Sequence, residues 1–143
     1  MAPDGLPDQV SAPRSARLTF RIDFDGGRLG HGKIELLEHI ARSGSLSAAA
    51  RAMDMSYRRA WQLLAALNAM FSEPVAVTHP GRNTNGATEV TPFGRQLIVT
   101  YRRLEARLVK AAEPTLDRLL APPAAPALRK AAKRDRTKRR PNT

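Results

Sequence analysis

The feature that most constrains this chain is a succession of three helix-forming segments joined by two very short turns. Apolar residues recur at helical spacing through the first segment, residues 32–43, and Gly44 closes it. A short helix over residues 48–53 and a longer one over residues 57–71 follow. Because such turns leave no room for a long antiparallel bundle, the second helix must cross the third steeply, as in a helix-turn-helix.

Serine residues stand where the second and third helices are expected to begin. Either Ser45 or Ser47 can cap the second helix, and Ser56 can cap the third. A serine side-chain oxygen is suited to this position because it accepts a hydrogen bond from one of the free N–H groups of the first turn.

The third helix has two chemically different sides. At about 100° per residue, its larger apolar side chains gather in one sector, which must face the core. The opposite side carries small alanines interrupted by Arg58, Arg59 and Gln62. We expect Trp61, on the flank, to pack on a neighbouring helix. The predicted core sector consists of Ala60, Leu63, Leu64, Leu67 and Phe71.

Short β segments are predicted on either side of the three helices. Residues 18–24 alternate apolar and polar, as in a half-buried strand, and residues 25–27 form a turn that ends it. After the third helix, residues 75–78 and 88–91 are typical of two strands, and the loop between them contains an Asn-Gly pair, a strong hairpin signal. A hairpin in this position is a wing.

A long helix follows the wing, with Thr91 as its cap and Pro92 in its first turn. Its apolar residues, spaced by three and four, form a stripe longer than packing against a single wing requires. We therefore expect a two-fold dimer interface here, assisted by the N-terminal strand. Pro114 is expected to kink or end this helix, with a last short helix over residues 114–120. The predicted interface residues are Phe93, Leu97, Tyr101, Leu104 and Leu108.

Charge is unevenly distributed along the chain. There are 24 Lys and Arg residues against 13 Asp and Glu, a net charge of +11. Eight of the bases follow residue 127, so that tail carries +7 and the rest of the chain +4. This balance favours a polyanionic partner, either nucleic acid or an anionic membrane surface. No apolar run approaches the roughly 18–20 residues of a membrane span, and we expect a cytoplasmic, nucleoid-associated protein.

The chain is expected to divide into a disordered N-terminus (residues 1–15), one folded domain (16–120), and a Pro/Ala linker with a basic tail (121–143). The absence of cysteine excludes disulfides and thiolate metal sites. Glu35 and His39 are too few ligands for a metal site. There is no Gly-rich phosphate loop and no recognisable nucleophile–base set. We therefore expect neither an enzyme nor a cofactor.

One run of the sequence is distinctive. Residues 43–61, SGSLSAAARAMDMSYRRAW, resemble the N-terminal DNA-binding domain of ModE-type molybdate-responsive regulators, and so do residues 29–34 and 91–94. The likeness covers about residues 17–120 and extends, more distantly, to LysR-type winged helices. It implies a homodimer on a palindromic site. It also implies a set of residues at the DNA: Ser56, Tyr57, Arg58, Arg59 and Gln62.

The resemblance ends at the linker. ModE regulators continue into a β-rich region that binds molybdate, whereas residues 122–143 here are Pro/Ala-rich and basic. We therefore expect the gene-regulatory role to carry over but not oxyanion sensing, and we predict no small-molecule effector.

The expected fold is mainly α with small β: a winged helix-turn-helix with an N-terminal strand, a β-hairpin wing and a long C-terminal dimerisation helix. The expected function is that of a dimeric, sequence-specific transcription regulator binding double-stranded DNA, with residues 56–71 in the major groove. Small alanines would let the helix approach while Arg and Gln side chains read base edges. Ser47 and, from the wing loop, Arg82 complete the predicted DNA contacts.

The basic tail is expected to add non-specific affinity by releasing counterions from DNA. Two alternatives stay open. One is a winged-helix module that binds another protein. The other is a non-specific nucleoid or RNA binder driven mainly by the tail.

Overall fold

Helices make up most of the computed structural model, which describes residues 15–79 and 87–121. The predictions for residues 1–14, for the wing loop with Arg82 and for the tail lie outside the described residues. In chain order the elements are β1 (Arg21–Phe24), β2 (Gly27–Gly30), α1 (His31–Ser43), α2 (Leu46–Ala52), α3 (Tyr57–Met70), β3 (Ala76–His79), β4 (Ala87–Val90) and α4 (Pro92–Leu120). The expected class, mainly α with small β, is confirmed.

The core lies where α1, α2 and α3 meet. Burying each large aliphatic side chain there contributes about 1.5–3 kcal/mol relative to leaving it in water. Within the predicted core sector of α3, Leu63 and Phe71 are only partly buried. The buried apolar side chains of the three helices are Ile34, Leu36, Leu37, Ile40, Leu46, Ala49, Ala50, Ala60, Leu64 and Leu67.

Local signals set the helix ends. Gly44 adopts φ 68°, a left-handed conformation that glycine reaches without a Cβ clash, and its N–H donates to the carbonyl oxygen of Ile40 at 2.7 Å. The Ser45 side chain accepts from the N–H of Ala48 at 3.1 Å, so α2 starts two residues earlier than expected. Ser56 caps α3, as predicted.

The N-terminal strand is part of a hairpin. β1 pairs antiparallel with β2, from Arg21 opposite Gly30 to Phe24 opposite Gly27. We call β1–β2 the first hairpin. The expected strand over residues 18–24 was too long, and β2 was not anticipated, because two of its four residues are glycine, a weak strand former.

The wing consists of β3 and β4, paired antiparallel from Ala76 opposite Val90 to His79 opposite Ala87. β3 begins one residue later than predicted and β4 one residue earlier. The N–H of Thr88 donates to the carbonyl oxygen of Gly44 at 3.0 Å, which ties the wing to the C-terminal end of α1.

The last helix, α4, is longer than expected. Thr91 caps it by accepting from the N–H of Gly94 at 3.0 Å. Of the two expectations for Pro114, the end of the helix is wrong, since α4 runs through it to Leu120, and so is the separate short helix over residues 114–120; the kink stays a prediction. A proline removes one hydrogen-bond donor, and the alanines and leucines around it are strong helix formers. Residues 18–111 form one compact unit, and residues 112–120 lie outside it.

Candidate nucleic-acid interface

The side of α3 turned away from the core is open to solvent. Tyr57, Arg58, Arg59 and Gln62 are all exposed. Within residues 15–79 and 87–121, neither guanidinium group makes an ion pair or a hydrogen bond to protein. The structure thus gathers four of the predicted DNA-contacting residues on one surface, with their polar groups available to a partner.

Two serines lie at the N-terminal ends of successive helices. The Ser56 side-chain oxygen accepts from the N–H of Arg59 at 3.1 Å, and its own O–H remains able to donate. Ser47 is exposed in the first turn of α2. Helix N-termini carry partial positive charge and favour anions such as phosphate. Both serines therefore have the surroundings of a phosphate contact.

Trp61 does not pack on a neighbouring helix as expected. It is 56% exposed, and Tyr57, one turn earlier, is 54% exposed. The two rings share one side of α3 because residues four apart are neighbours on a helix surface. This pair lies beside Arg58 and adds exposed apolar surface next to the polar face. Such surface is suited to contact thymine methyl groups or sugars. The sequence signal for this exposed pair was the position of Tyr57 and Trp61 on the flank of α3 next to Arg58.

A second group of cationic residues lies on the other flank of α3. Sequence reasoning missed it because β2 was not recognised, so the residues of the first hairpin could not be placed beside the helix. With Gln62 of α3, four cationic side chains line a groove of about 630 Å³: Arg21, Arg28, Lys33 and Arg59.

Comparison with known proteins relates these elements to a family of domains. Residues 31–95 match the family described as bacterial regulatory helix-turn-helix protein, lysR family. The predicted winged helix-turn-helix is thereby confirmed, with α2 and α3 as the helix-turn-helix and β3–β4 as the wing.

Curated proteins similar to this chain include the ModE-type proteins that the sequence resembles. The chain is 40% identical over 89 residues to the molybdenum-pterin-binding protein MopB of Rhodobacter capsulatus, covering 62% of this chain and 33% of that protein. It is 42% identical over 84 residues to MopA of the same organism, covering 59% and 32%. It is 35% identical over 104 residues to the molybdenum transport protein ModE of Azotobacter vinelandii, covering 73% and 38%.

The chain therefore spans about a third of the length of these curated relatives. The likeness to ModE-type proteins is confirmed for the region that contains residues 31–95. A solved structure of a LysR family transcriptional regulator is 18% identical, covers 64% of this chain and 29% of that chain, and superposes with a TM-score of 0.48.

An ion-pair network fixes α4 to α1. Arg102 of α4 donates from Nε to Glu38 of α1 at 3.1 Å and from Nη1 to Glu105 at 2.8 Å. The hydrogen bond from Arg102 outweighs partial burial and lowers the pKa of Glu38. The same bond raises the pKa of Arg102. Both groups are therefore held in their charged forms.

The predicted dimer stripe on α4 is partly used inside one protomer. Tyr101 is 2% exposed, and Phe93 packs edge-on against Phe71 with ring centroids 5.4 Å apart. Leu104 and Leu108 are only partly buried and keep apolar surface available. The dimer stays a prediction, and fewer residues of the stripe keep apolar surface available for it.

The histidine and carboxylate pair noted in the sequence belongs to a small surface cluster. The carboxylate of Glu35 lies 3.1 Å from His31 and 3.6 Å from His39. Over the described ranges, no group of three or more His, Asp or Glu side chains is arranged to hold a metal ion. Nor does this part of the chain contain a helix both long enough and apolar enough to cross a bilayer.

Proposed function

We propose that this chain is a sequence-specific DNA-binding transcription regulator that inserts α3 into the major groove. The observation that carries the proposal is the outward face of α3, where the side chains of Arg58, Arg59 and Gln62 are exposed and make no hydrogen bond or ion pair with any other described residue. Exposed Ala66 and Ala69 continue this face with small side chains, which let the helix backbone approach the base pairs.

The chemistry of the face sets the contacts we propose. Arg58 or Arg59 would donate two guanidinium N–H groups to O6 and N7 of a guanine, and Gln62 would bind N6 and N7 of an adenine. Ser56 and Ser47 would donate to phosphates at the two helix starts. Each good bidentate contact discriminates against a wrong base by about 1–3 kcal/mol. Arg82, in the wing loop, stays a candidate phosphate or minor-groove contact.

We further propose a homodimer that binds a palindromic site. In such a dimer, two copies of α3 would enter successive turns of the major groove, about 34 Å apart. Leu97, Leu104 and Leu108 would supply the interface on α4.

The function proposed for this chain is limited to DNA binding. The names of the relatives refer to molybdenum, but the match covers about a third of their length, so no molybdenum ligand is proposed here. We propose a non-enzymatic protein that acts in the cytoplasm on chromosomal DNA.

The test is a genome-wide DNA pull-down with the full chain, followed by footprinting of the enriched sites. We expect Arg58→Ala to weaken binding to those sites by about 5- to 150-fold and to relax selectivity at one base position. Arg103→Ala, which removes the same charge from the exposed side of α4, is the matched control.

Two results would overturn the proposal in favour of the alternatives. If no site is enriched and removal of residues 122–143 abolishes all affinity, the chain is a non-specific binder driven by its tail. If neither the wild type nor the variant binds DNA, while α3 binds a protein partner, the domain is a protein-interaction module.

A further inference from the structure

The groove between α3 and the first hairpin is continuous with the proposed DNA-reading face. Its cationic side chains come from three other elements besides α3: Arg21 from β1, Arg28 from β2 and Lys33 from α1. Arg59 and Gln62 of α3 line the same groove. These two residues therefore belong both to the groove and to the outer face of the helix.

The first hairpin and the wing lie on opposite flanks of α3. On one flank, Asn68 bonds the backbone of Val75 and Ala76 at the start of the wing. Met70 is two positions further, so it lies about 200° around the helix. There it meets the first hairpin so closely that a Cβ on Gly27 would come within 3.1 Å of its sulfur. The outer face of α3 lies between these two flanks.

The dimensions of DNA decide what the first hairpin would meet. An α-helix with its side chains is about 10–12 Å across and nearly fills a major groove about 12 Å wide. An element packed against the flank of α3 cannot enter the same groove. It must lie over the sugar-phosphate strand at the edge of that groove, where cationic side chains bind phosphates and release counterions.

The cationic side chains of the groove can exchange their present partners for phosphate. Asp23 lies 3.3 Å from Arg21 and 3.7 Å from Arg28, and one carboxylate cannot neutralise two guanidinium groups. Such solvent-exposed pairs contribute little to stability, so a phosphate can displace the carboxylate. Lys33 donates one bond to the carbonyl oxygen of Arg28, which leaves two of its three N–H donors for an anion.

We propose that the first hairpin and the start of α1 form a second DNA-contacting arm beside the recognition helix. Arg21, Arg28 and Lys33 bind consecutive phosphates of the strand that borders the major groove, on the side away from the wing. This inference rests on the proposed function, because it assumes that α3 enters the groove. The arm would add affinity and fix the register of the complex, but it would add no base preference, since phosphates carry no sequence information.

The test is the salt dependence of binding by the full chain to a site found by footprinting, measured between about 50 and 200 mM salt. We expect the variant Arg21→Ala/Arg28→Ala/Lys33→Ala to lower the slope of log K against log salt by about 0.9 for each phosphate that the arm no longer neutralises, with an unchanged footprint sequence. The control Arg103→Ala/Arg107→Ala/Lys110→Ala removes the same charge from exposed positions of α4 and should keep the wild-type slope.

Asp23→Asn gives an independent result of opposite sign. It removes the carboxylate that competes with phosphate and should tighten binding. If Asp23→Asn and the triple variant both bind with the wild-type slope and affinity, while Arg58→Ala has lost selectivity, the arm does not touch DNA and only the proposed function survives. If the wild type protects no site at all, the proposed function fails first.

Discussion

The hydroxyl of Tyr101 donates a hydrogen bond of 3.1 Å to the backbone carbonyl of Phe20, 81 residues earlier in the chain. The two rings also stack, with centroids 4.7 Å apart. Burial of the hydroxyl raises the pKa of Tyr101. This contact joins the segment before β1 to α4, and it explains why a residue expected at a dimer interface is covered within one protomer.

Substitutions at Tyr101 separate the two parts of this contact. Tyr101→Phe removes the hydroxyl and keeps the ring, and we expect it to lower the free energy of unfolding by about 0.5–1.5 kcal/mol. Tyr101→Ala also removes the stacked ring and should lower it by about 3–5 kcal/mol. Urea denaturation measures both. Equal losses for the two variants would show that the ring contributes nothing.

The ion pair between Glu38 and Arg102 predicts an acid-sensitive contribution to stability. The folded-state pKa of Glu38 lies below its ordinary value of 4.5, so the pair stabilises the fold above that pH. The contribution is lost as the pH falls through the lowered pKa. We expect the stability difference between the wild type and Glu38→Gln to be constant near neutral pH and to shrink below 4.5. Glu73→Gln, at an exposed position, is the control, and a difference independent of pH would contradict the prediction.

Two helical glycines predict opposite responses to alanine. A Cβ at Gly94 would lie 2.1 Å from the carbonyl oxygen of Val75, which is backbone and cannot rotate away. We expect Gly94→Ala to destabilise by about 3 kcal/mol, the upper range for overpacking. A Cβ at Gly32 meets nothing within 4 Å, so Gly32→Ala should stabilise by up to about 1 kcal/mol. Thermal unfolding compares them, and a shift of the same sign for both variants would refute the steric argument.

The side chain of Asn68 holds the base of the wing. Its Oδ1 accepts from the N–H of Val75 at 2.7 Å, and its Nδ2 donates to the carbonyl oxygen of Ala76 at 3.1 Å. Asn68→Ala leaves these groups without partners and should cost about 1–3 kcal/mol. Asn68→Asp keeps the acceptor, so the Val75 amide should stay protected from hydrogen exchange in that variant alone. Equal exchange of Val75 in both variants would argue against this role.

Local patterns predicted more of this molecule than long-range ones. Gly44 and Ser56 marked helix ends because the chemistry of a cap lies within one turn of the chain. The exposed face of α3 followed from helical geometry alone. The partner of Tyr101 did not follow, because that contact joins residues 81 positions apart and forms only after folding. An Asp-Gly pair at residues 25 and 26 is a hairpin signal and could have revealed β2.

The dimer prediction now depends on fewer residues. Leu104 and Leu108 are partly buried and lie one turn apart on the same side of α4, so a second copy could cover what remains of their surface. We expect Leu104→Lys/Leu108→Lys to be monomeric in sedimentation equilibrium, because pairing would bury two charges from each protomer. Arg103→Ala/Arg107→Ala should sediment as the wild type does.

On DNA, the leucine variant should protect one half-site, whereas a dimer protects two half-sites about 34 Å apart. This link between assembly and footprint separates the proposed interface from a merely structural role for the two leucines. A wild-type chain that stays monomeric at every concentration and protects a single half-site would show that α4 does not pair.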